Sequence, residues 1–464
     1  MSDIRTLIGK LNLIGSQRSL GLQVRQFGLA AGKLLAGPVK QARDTMEGIG
    51  QVAAFVEAEA EAWLDPEDLM AGKSGGFDAC DLRHWLILAE AAGVPAVPAR
   101  QILSLHEDDL SLIDRPVHIP EFLRNSLSRR LARVFPDLVA APVAEAPVGE
   151  DPDARRAALA AALFDAMDDI PDGWMVRSNI SGSSMLKAMA GAGVIEDPRD
   201  SAKFTPEIEV GAGWVRDGNR RRIDATDSRF VETFAAGHKP VIHYLARPWM
   251  EAARRAEGPD PHRHGTPFAG KGSWPMEWRV FVENNKVTGV ASYYAWAGSA
   301  TPENAAVALE AAEIAQKIVD LARARGLSSR WMDLEILRDG ASEEALKNPR
   351  IRDALSRFPR DAINCTLDFL EVKGQGLMLL EGGPAHTPIG GGHPCAFAGF
   401  QVVKGQGAAC ATTGVALKLM DHVILADPAT WSHGETAEHI LSWDEVRNLA
   451  AQHRPKPDTE TLEL

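Results

Sequence analysis

The chain has 464 residues and is poor in cysteine and tyrosine, with only four and three of them. No two cysteines form a Cys-x-x-Cys pair, which argues against a zinc ribbon or a thioredoxin-type redox site. The absence of any run of about 18 apolar residues excludes a membrane-spanning helix. No signal-peptide pattern is seen at the start either. Together these absences favour a cytoplasmic protein.

The chain also has no overall excess of basic residues. Fifty Lys and Arg residues face sixty-three Asp and Glu residues, which gives a formal net charge of −13. This acidic balance argues against general nucleic-acid binding. The 45% content of hydrophobic residues is typical of a globular protein, and the length allows two or three domains.

The first 43 residues depart from this acidic composition, because Asp3 is their only acidic residue. Basic and aliphatic residues are interspersed there, which predicts one or two basic amphipathic helices. Two interpretations stay open for residues 1–64. They dock onto a membrane surface or a protein partner, or they pack on the rest of the chain with their basic residues outward.

Composition divides the chain into four parts. Residues 1–138 are expected to be mostly helical, and the Ala/Pro-rich stretch 139–153 lacks periodicity and is the predicted linker. A larger domain over 154–395 follows. Residues 396–464 are expected to form an α/β extension with a polar tail.

Within the larger domain, helical and strand patterns alternate, and several strands are joined as hairpins, which favours an α+β fold. The clearest helix is predicted over 301–325, with Thr301 as its cap and Gly326 after its end. Strands are predicted at 174–178, 241–247, 277–283, 287–294, 330–337, 365–372 and 377–381.

The segment 365–392 carries the strongest chemical signal. If Gly374-Gln375 forms a two-residue hairpin turn, Asp368 falls directly opposite Glu381. Their Cβ atoms then lie about 4.5–5.5 Å apart, and apolar neighbours strengthen the repulsion between the carboxylates. Mg²⁺, which prefers hard oxygen ligands, offsets that repulsion simply. The alternatives are an exposed pair or a register slipped by one residue.

The segment 275–294 places a charge in the middle of a strand. Alternation puts two sets of residues on opposite faces: Glu277, Arg279 and Phe281 on one, and Trp278, Val280 and Val282 on the other. An arginine in such a position indicates an anionic ligand. The alternative is an ion pair between Glu277 and Arg279 on an exposed face.

The segment 173–189 combines a cationic strand with a loop of small residues. Arg177 lies in the strand, and Lys187 lies in the helix that follows the loop of Ser181, Gly182, Ser183 and Ser184. Such a loop offers backbone N–H groups to phosphate oxygens. Plain helix caps show the same pattern.

In this order the three segments resemble the ATP-grasp superfamily, over roughly residues 155–395. The resemblance implies two α+β subdomains whose antiparallel sheets enclose ATP, with Asp368 and Glu381 as ligands of Mg²⁺. It also implies a nucleotide site that includes an adenine-contacting segment at 240–250. The nucleotide-binding residues that follow from it are Arg177, Ser181, Gly182, Ser183, Ser184, Lys187, His243, Leu245, Arg247 and Glu277.

The chain departs from the family pattern at three points. Gly383 stands where the family has a metal-binding Asn, and Arg177 stands where it usually has Lys. The segment 329–337 follows the long helix, where the family often places its Asp strand. Asp333 or Glu335 is therefore the alternative to Asp368 as a metal ligand.

The activity implied by the resemblance is an ATP- and Mg²⁺-dependent ligase that joins a carboxylate to an amine through an acyl-phosphate. Arg279 then offsets charge on the transferred phosphoryl group. His386 or His393 in the acceptor segment 382–394 orients or deprotonates the nucleophile, unless both are plain loop histidines. Substrates would be small-molecule or peptide carboxylates and amines, and a homodimer is expected. The alternatives are phosphotransfer to a hydroxyl, or a degenerate ATP-grasp protein that assembles through its N-terminal region.

Overall fold

The computed structural model describes residues 62–106, 174–179, 214–217, 220–223, 241–259, 271–294, 299–331, 334–335, 338, 346–387, 390–397, 412–417 and 440–453. Over these residues the protein is a mixed α+β fold in which most strand pairs are antiparallel. Several predictions lie outside the described residues: the basic start, the linker, the loop from Ser181 to Ser184, Lys187, Asp333 and the polar tail.

The described strands, in chain order, are β1 (Gly75–Asp78), β2 (Arg100–His106), β3 (Trp174–Ser178), β4 (Trp214–Asp217), β5 (Arg220–Ile223), β6 (Val241–Pro248), β7 (Arg255–Pro259), β8 (Lys271–Pro275), β9 (Glu277–Glu283), β10 (Lys286–Ser292), β11 (Leu327–Arg330), β12 (Cys365–Val372), β13 (Gly376–Pro384), β14 (His386–Thr387), β15 (Gly390–Gly391), β16 (Gly414–Ala416) and β17 (Ile440–Leu441). The helices are α1 (Pro66–Met70), α2 (Leu82–Ala91), α3 (Pro302–Ala324), α4 (Pro349–Arg357) and α5 (Trp443–Ala450).

The largest sheet has six strands in the order β13-β12-β9-β10-β16-β17. All its neighbouring pairs are antiparallel except β10 and β16. The β9–β10 hairpin turns at Asn284 and Asn285, whose φ angles are +48° and +65°. Asparagine tolerates this left-handed conformation better than most residues, and such turns suit the twist of a hairpin.

Helix α3 covers one face of this sheet and confirms the predicted helix. Thr301 accepts a hydrogen bond from the backbone N–H of Asn304 (3.2 Å), and Gly326 ends the helix with φ of +68°. Ile318, Val319 and five alanines form its fully buried inner face, and the alanines let the helix approach the sheet closely: Ala305, Ala308, Ala311, Ala315 and Ala322. The hydrophobic core lies between this face and the sheet.

The described part of the N-terminal region belongs to the same core. Trp85 of α2 is fully buried and packs in one cluster with Trp278 and Leu367 of the sheet. A Cβ added to Gly382 of β13 would lie 2.3 Å from the Trp85 Nε1, so only glycine allows this approach. Strand β1 pairs in parallel with β11, and β2 pairs with β6 of a second, three-stranded sheet, β2-β6-β3.

Among the residues of 330–337 that the structure describes, the predicted strand is not found. Strand β11 ends at Arg330, and the backbone N–H groups of Leu334 and Glu335 donate to the carbonyl of Trp331 (3.2 and 3.3 Å). Those bonds make a helical turn there. Leu334 packs in a small cluster with Phe358 and Ala385.

Among the helices that the structure describes, none has both the length and the apolar character needed to cross a membrane.

Candidate functional site

The β12–β13 hairpin places Asp368 opposite Glu381, as the sequence predicts. The path differs from the prediction, however. Val372 pairs with Gly376, so the loop has three residues rather than two, and Phe369 pairs with Leu379, so Leu380 is an extra residue that forms a bulge. These two deviations cancel at Asp368. Three-residue hairpin loops commonly need a glycine with positive φ, and Gly374 has a φ of +72°.

The second neighbour of Asp368 is Arg279 on β9. The two residues are register partners, and the Arg279 Nε and Nη2 donate to the Asp368 Oδ1 and Oδ2 over 2.7 and 2.6 Å. Both residues are buried, with 8% and 2% exposure. The alternative of an exposed ion pair between Glu277 and Arg279 is therefore wrong. Three strands carry the row Glu381–Asp368–Arg279, which we call the charged row.

The guanidinium of Arg279 has further partners on the same face of the sheet. Its Nη1 donates to the carbonyl of His393 (3.1 Å), and its carbon lies 4.9 Å from the ring centre of Tyr293. Burial by itself lowers the pKa of Arg279, but attraction to Asp368, Cys395 and Tyr293 and the hydrogen bonds to Asp368 together outweigh it, so that pKa stands well above its ordinary value. Arg279 is therefore charged at neutral pH.

This ion pair supplies the positive charge that the sequence argument assigned to a cation. Two carboxylates and one guanidinium leave the charged row with an excess of one negative charge. Within the described residues no group of three or more His, Cys, Asp or Glu side chains could hold a metal. Mg²⁺ binding by Asp368 and Glu381 stays a prediction.

Arg247 of β6 holds the bulge beside Glu381. It is 1% exposed, and its Nη1 and Nη2 donate to the carbonyls of Leu380 (2.9 Å) and Val97 (3.3 Å). The segment predicted to contact adenine therefore lies against the strand that carries Glu381. The guanidinium of Arg247 is an anchor for the β13 backbone in this structure.

The other residues predicted in the nucleotide site belong to the sheet β2-β6-β3. His243 Nδ1 lies 2.8 Å from the Ser104 Oγ, and Leu245 is buried opposite Arg177. The structure describes only the backbone of Arg177. Glu277 is 2% exposed and lies two residues before Arg279 on β9.

The predicted acceptor segment 382–394 begins in the last residues of β13 and includes the short strands β14 and β15. His386 is 6% exposed and pairs with Gly391 in the short β14–β15 ladder. Its Nδ1 lies 2.9 Å from the carbonyl of Gly392, and a carbonyl only accepts, so this nitrogen carries the proton. Gly383 is the register partner of Thr366. His393 is exposed and contacts Arg279 through its carbonyl.

Two ionic clusters were not predicted. On the opposite face from Asp368, Glu371 accepts hydrogen bonds from the Arg254 Nε and Nη2 (both 2.6 Å) and the Trp278 Nε1 (2.7 Å). Successive residues of a strand face opposite sides of the sheet, so the odd spacing of three between Asp368 and Glu371 already indicated that the two carboxylates lie on different faces. In the second cluster, the buried Glu335 contacts three arginines.

The arginine contacts bear on the alternative metal ligand. Arg360 Nε donates to the Glu335 Oε2 over 2.6 Å, and Arg338 Nη1 donates to the Oε1. Surrounding guanidinium groups repel a metal cation. Between the two carboxylates, Asp368 has the better setting for Mg²⁺, because a second carboxylate lies opposite it.

Comparison of the chain with protein-family models and with curated proteins finds no match in either case. The resemblance to the ATP-grasp superfamily therefore depends on the residues of this chain and on their arrangement. The charged row is the part of that arrangement with the clearest chemistry.

Proposed function

We propose that the chain is an ATP-grasp enzyme, an ATP- and Mg²⁺-dependent ligase that joins a carboxylate to an amine. The observation that carries this proposal is the charged row. Two carboxylates and a guanidinium lie in register on three neighbouring strands, with Asp368 and Arg279 buried. Phosphoryl transfer requires positively charged groups and metal ligands held in this kind of fixed arrangement.

The donor set of the charged row fits Mg²⁺. In nucleotide-binding enzymes this ion is commonly held by one or two carboxylates and completes its coordination with phosphate oxygens and water. Asp368 accepts two N–H groups of Arg279, and a carboxylate can accept more than two hydrogen bonds or ligate a metal while it does so. Asp368 and Glu381 would hold the ion, whose chemistry is to offset charge on the phosphates of ATP.

Arg279 binds the γ-phosphoryl oxygens in this proposal. A guanidinium suits that role because it is always charged and offers several N–H donors in a fixed plane. Asp368 orients the group from one edge, and the ring of Tyr293 lies at one of its faces. Strong partners on the protein side keep the guanidinium in place before ATP arrives, which lowers the reorganisation needed during transfer.

The acceptor substrate is a small-molecule or peptide carboxylate, bound along 382–394, and an amine is the second substrate. The carboxylate attacks the γ-phosphorus of ATP, the bond to the β-phosphate breaks, and ADP leaves as the acyl-phosphate forms. The amine then attacks the acyl carbon, loses a proton to a base and forms the amide as inorganic phosphate leaves. His386 holds its proton on Nδ1, so Nε2 has the lone pair that a base for the amine needs. A cytoplasmic location, a homodimer and a membrane or protein partner for residues 1–64 belong to the same proposal.

A second candidate is a degenerate ATP-grasp protein that binds partners without catalysis. The two hydrogen bonds that occupy the Asp368 carboxylate favour it, as does Gly383 at the position of a metal-binding Asn. The two candidates differ in one property that can be measured directly. A ligase binds nucleotide more tightly with Mg²⁺, whereas a degenerate protein does not.

The test is calorimetric titration with a non-hydrolysable ATP analogue, with and without Mg²⁺. We expect micromolar binding that depends on Mg²⁺ in the wild type and in Asp444→Asn, a control at an exposed carboxylate of α5. Glu381→Gln removes one proposed ligand without breaking the buried Arg279–Asp368 pair. We expect it to abolish the Mg²⁺ dependence while circular dichroism stays unchanged.

No binding by the wild type in either condition would overturn the proposal and favour the degenerate protein. Binding whose Mg²⁺ dependence survives in Glu381→Gln would contradict the metal assignment. If binding depends on Mg²⁺, release of phosphate in the presence of mixed carboxylates and amines then separates the ligase from a phosphotransferase, which retains the phosphoryl group on its acceptor.

A further inference from the structure

His393 contacts the charged row through its main chain. Its carbonyl accepts a hydrogen bond from the Arg279 Nη1 (3.1 Å), whereas the Arg279 Nε and Nη2 donate to Asp368. The N–H groups of a guanidinium lie in one plane, and the carboxylate binds one edge of that plane. Because the carbonyl is a second fixed point, rotation of the guanidinium about its Nε–Cζ bond has to break contacts with both partners.

The His393 side chain bends the backbone that carries this carbonyl. Its ring Nδ1 accepts a hydrogen bond from the backbone N–H of Cys395 over 2.9 Å. A side-chain acceptor that binds the N–H two residues ahead closes a local turn, as aspartate and asparagine commonly do. Pro394, between the two residues, has a φ that its ring fixes. We call the segment His393-Pro394-Cys395 the histidine turn.

The C-terminal end of the histidine turn is anchored in the core. Cys395 is 1% exposed and packs in one cluster with Phe281 and Phe397. Its Sγ lies 3.5 Å from the same His393 carbonyl that Arg279 contacts. Cys395 has a φ of +50°, which is uncommon for a residue other than glycine. The bond from the Cys395 N–H to the His393 ring stabilises this bent backbone.

The same bond distinguishes the two histidines of the segment 382–394. A backbone N–H only donates, so the Nδ1 of neutral His393 holds the lone pair and its Nε2 carries the proton. His386 has the opposite arrangement, because its Nδ1 faces the carbonyl of Gly392. The lone pair of His393 is therefore engaged within the turn, whereas that of His386 lies on Nε2.

We propose that His393 is a positioning residue that orients Arg279 through the histidine turn and thereby sets the preference of the site for a nucleoside triphosphate over a diphosphate. This inference rests on the proposed function, in which Arg279 binds the γ-phosphoryl oxygens. A diphosphate has no γ-phosphoryl group, so the placement of the guanidinium affects binding of the triphosphate alone. The His393 ring acts through Arg279, and no bond is formed or broken.

Two substitutions of His393 separate the turn from the other properties of this residue. His393→Asn keeps an acceptor that reaches the N–H two residues ahead, whereas His393→Ala removes the acceptor. His393 is exposed, so neither variant leaves a cavity in the core. The matched control is His453→Ala, at another exposed histidine.

The first measurement is the selectivity for triphosphate, which is the dissociation constant of ADP divided by that of a non-hydrolysable ATP analogue. Calorimetry in the presence of Mg²⁺ supplies both constants. We expect His393→Ala to reduce this selectivity about tenfold, close to the lower value of one charge-assisted hydrogen bond. His393→Asn and His453→Ala should keep the selectivity of the wild type, because the histidine turn is retained in both.

The second measurement follows Arg279 without any nucleotide. NMR of ¹⁵N-labelled arginine reports rotation about the Nε–Cζ bond, which exchanges the two Nη positions, and the Arg279 signal is identified by its loss in Arg279→Lys. We expect faster rotation in His393→Ala than in the wild type, because the carbonyl no longer holds its place. His393→Asn should restore the slow rotation.

The outcomes separate this inference from the ligase proposal. Equal rotation rates in the wild type and His393→Ala would overturn the inference, as would a His393→Asn that behaves like His393→Ala. A merely structural contact predicts an equal loss of affinity for ADP and the analogue in His393→Ala, which would also contradict it. Absence of nucleotide binding by the wild type overturns the ligase proposal, and the rotation rates then decide the positioning role on their own.

Discussion

Arg279 and Asp368 lie opposite each other on neighbouring strands, joined by hydrogen bonds of 2.7 and 2.6 Å in a buried part of the sheet. A buried pair of this kind is costly to break from one side, because the remaining charge has no counterion. The same contact holds the guanidinium in a defined plane. It therefore serves stability and pre-orientation together.

Loss of one partner of this pair should be strongly destabilising. We expect Asp368→Asn to lower the free energy of unfolding by about 3–5 kcal/mol, as measured by urea denaturation. The double variant Arg279→Met/Asp368→Leu should lose less than the sum of its single variants, since it leaves no buried charge. Asp444→Asn is the exposed control. A loss below about 1 kcal/mol in Asp368→Asn would show that the pair is not formed as described.

Gly383 stands where the ATP-grasp superfamily has a metal-binding Asn, and a substitution can introduce that residue. A Cβ at this position would lie 3.3 Å from the Thr366 Oγ1, a tight contact that a small side-chain adjustment relieves. We expect Gly383→Asn to strengthen Mg²⁺-dependent binding of an ATP analogue several-fold, because the amide oxygen adds a hard ligand. Gly383→Ala introduces the same Cβ without the oxygen and is the matched control. Equal affinities in the two variants would argue against a metal at this strand end.

The contact between Arg247 and the bulge should control the position of Glu381. We expect Arg247→Gln to cost about 1–3 kcal/mol of unfolding free energy, because the carbonyls of Leu380 and Val97 lose the hydrogen bonds that the buried Arg247 donates to them. Amide hydrogen exchange should accelerate locally in 377–384. Arg447→Gln, at an exposed arginine, should leave exchange there unchanged. Unaltered protection in Arg247→Gln would mean that the bulge holds its shape without this contact.

Ionisation of Glu310, a carboxyl group on helix α3, should lower the free energy of unfolding. Glu310 is exposed, but partial desolvation by its neighbours and the negative charges of Glu371 and Glu313 raise its pKa above the ordinary value. A raised pKa in the folded state means that ionisation favours unfolding. The destabilisation is therefore fully present above the folded-state pKa and absent below the unfolded value near 4.5.

Replacement of Glu310 by Gln should remove this pH-dependent effect. We expect Glu310→Gln to be more stable than the wild type at pH 7 and to differ little below about pH 4.5, measured by thermal unfolding across that range. Glu90→Gln, at an exposed glutamate of α2, serves as the comparison. A constant stability difference at all pH values would exclude the electrostatic explanation.

Local patterns along the chain were sufficient to predict much of the fold. The faces of β9, the cap and end of α3, and the α+β class all follow from residues within a few positions of one another. The pairing of Asp368 with Glu381 also follows, because a short hairpin connects the two strands. Its exact path did not, since a three-residue loop and a bulge give the same pairing at that position as a two-residue turn.

Contacts between distant parts of the chain were decided only by the tertiary structure. Asp368 has Arg279 as its partner over a separation of 89 residues, and Arg247 reaches Leu380 over 133. Glu335 appeared as a metal-ligand candidate, whereas its folded surroundings are arginines. The physical reason is that a side chain's charge is visible in the sequence, but its counterion depends on which strands and loops pack together. The sequence by itself determined the local elements and the carboxylates, and the packing decided what each carboxylate contacts.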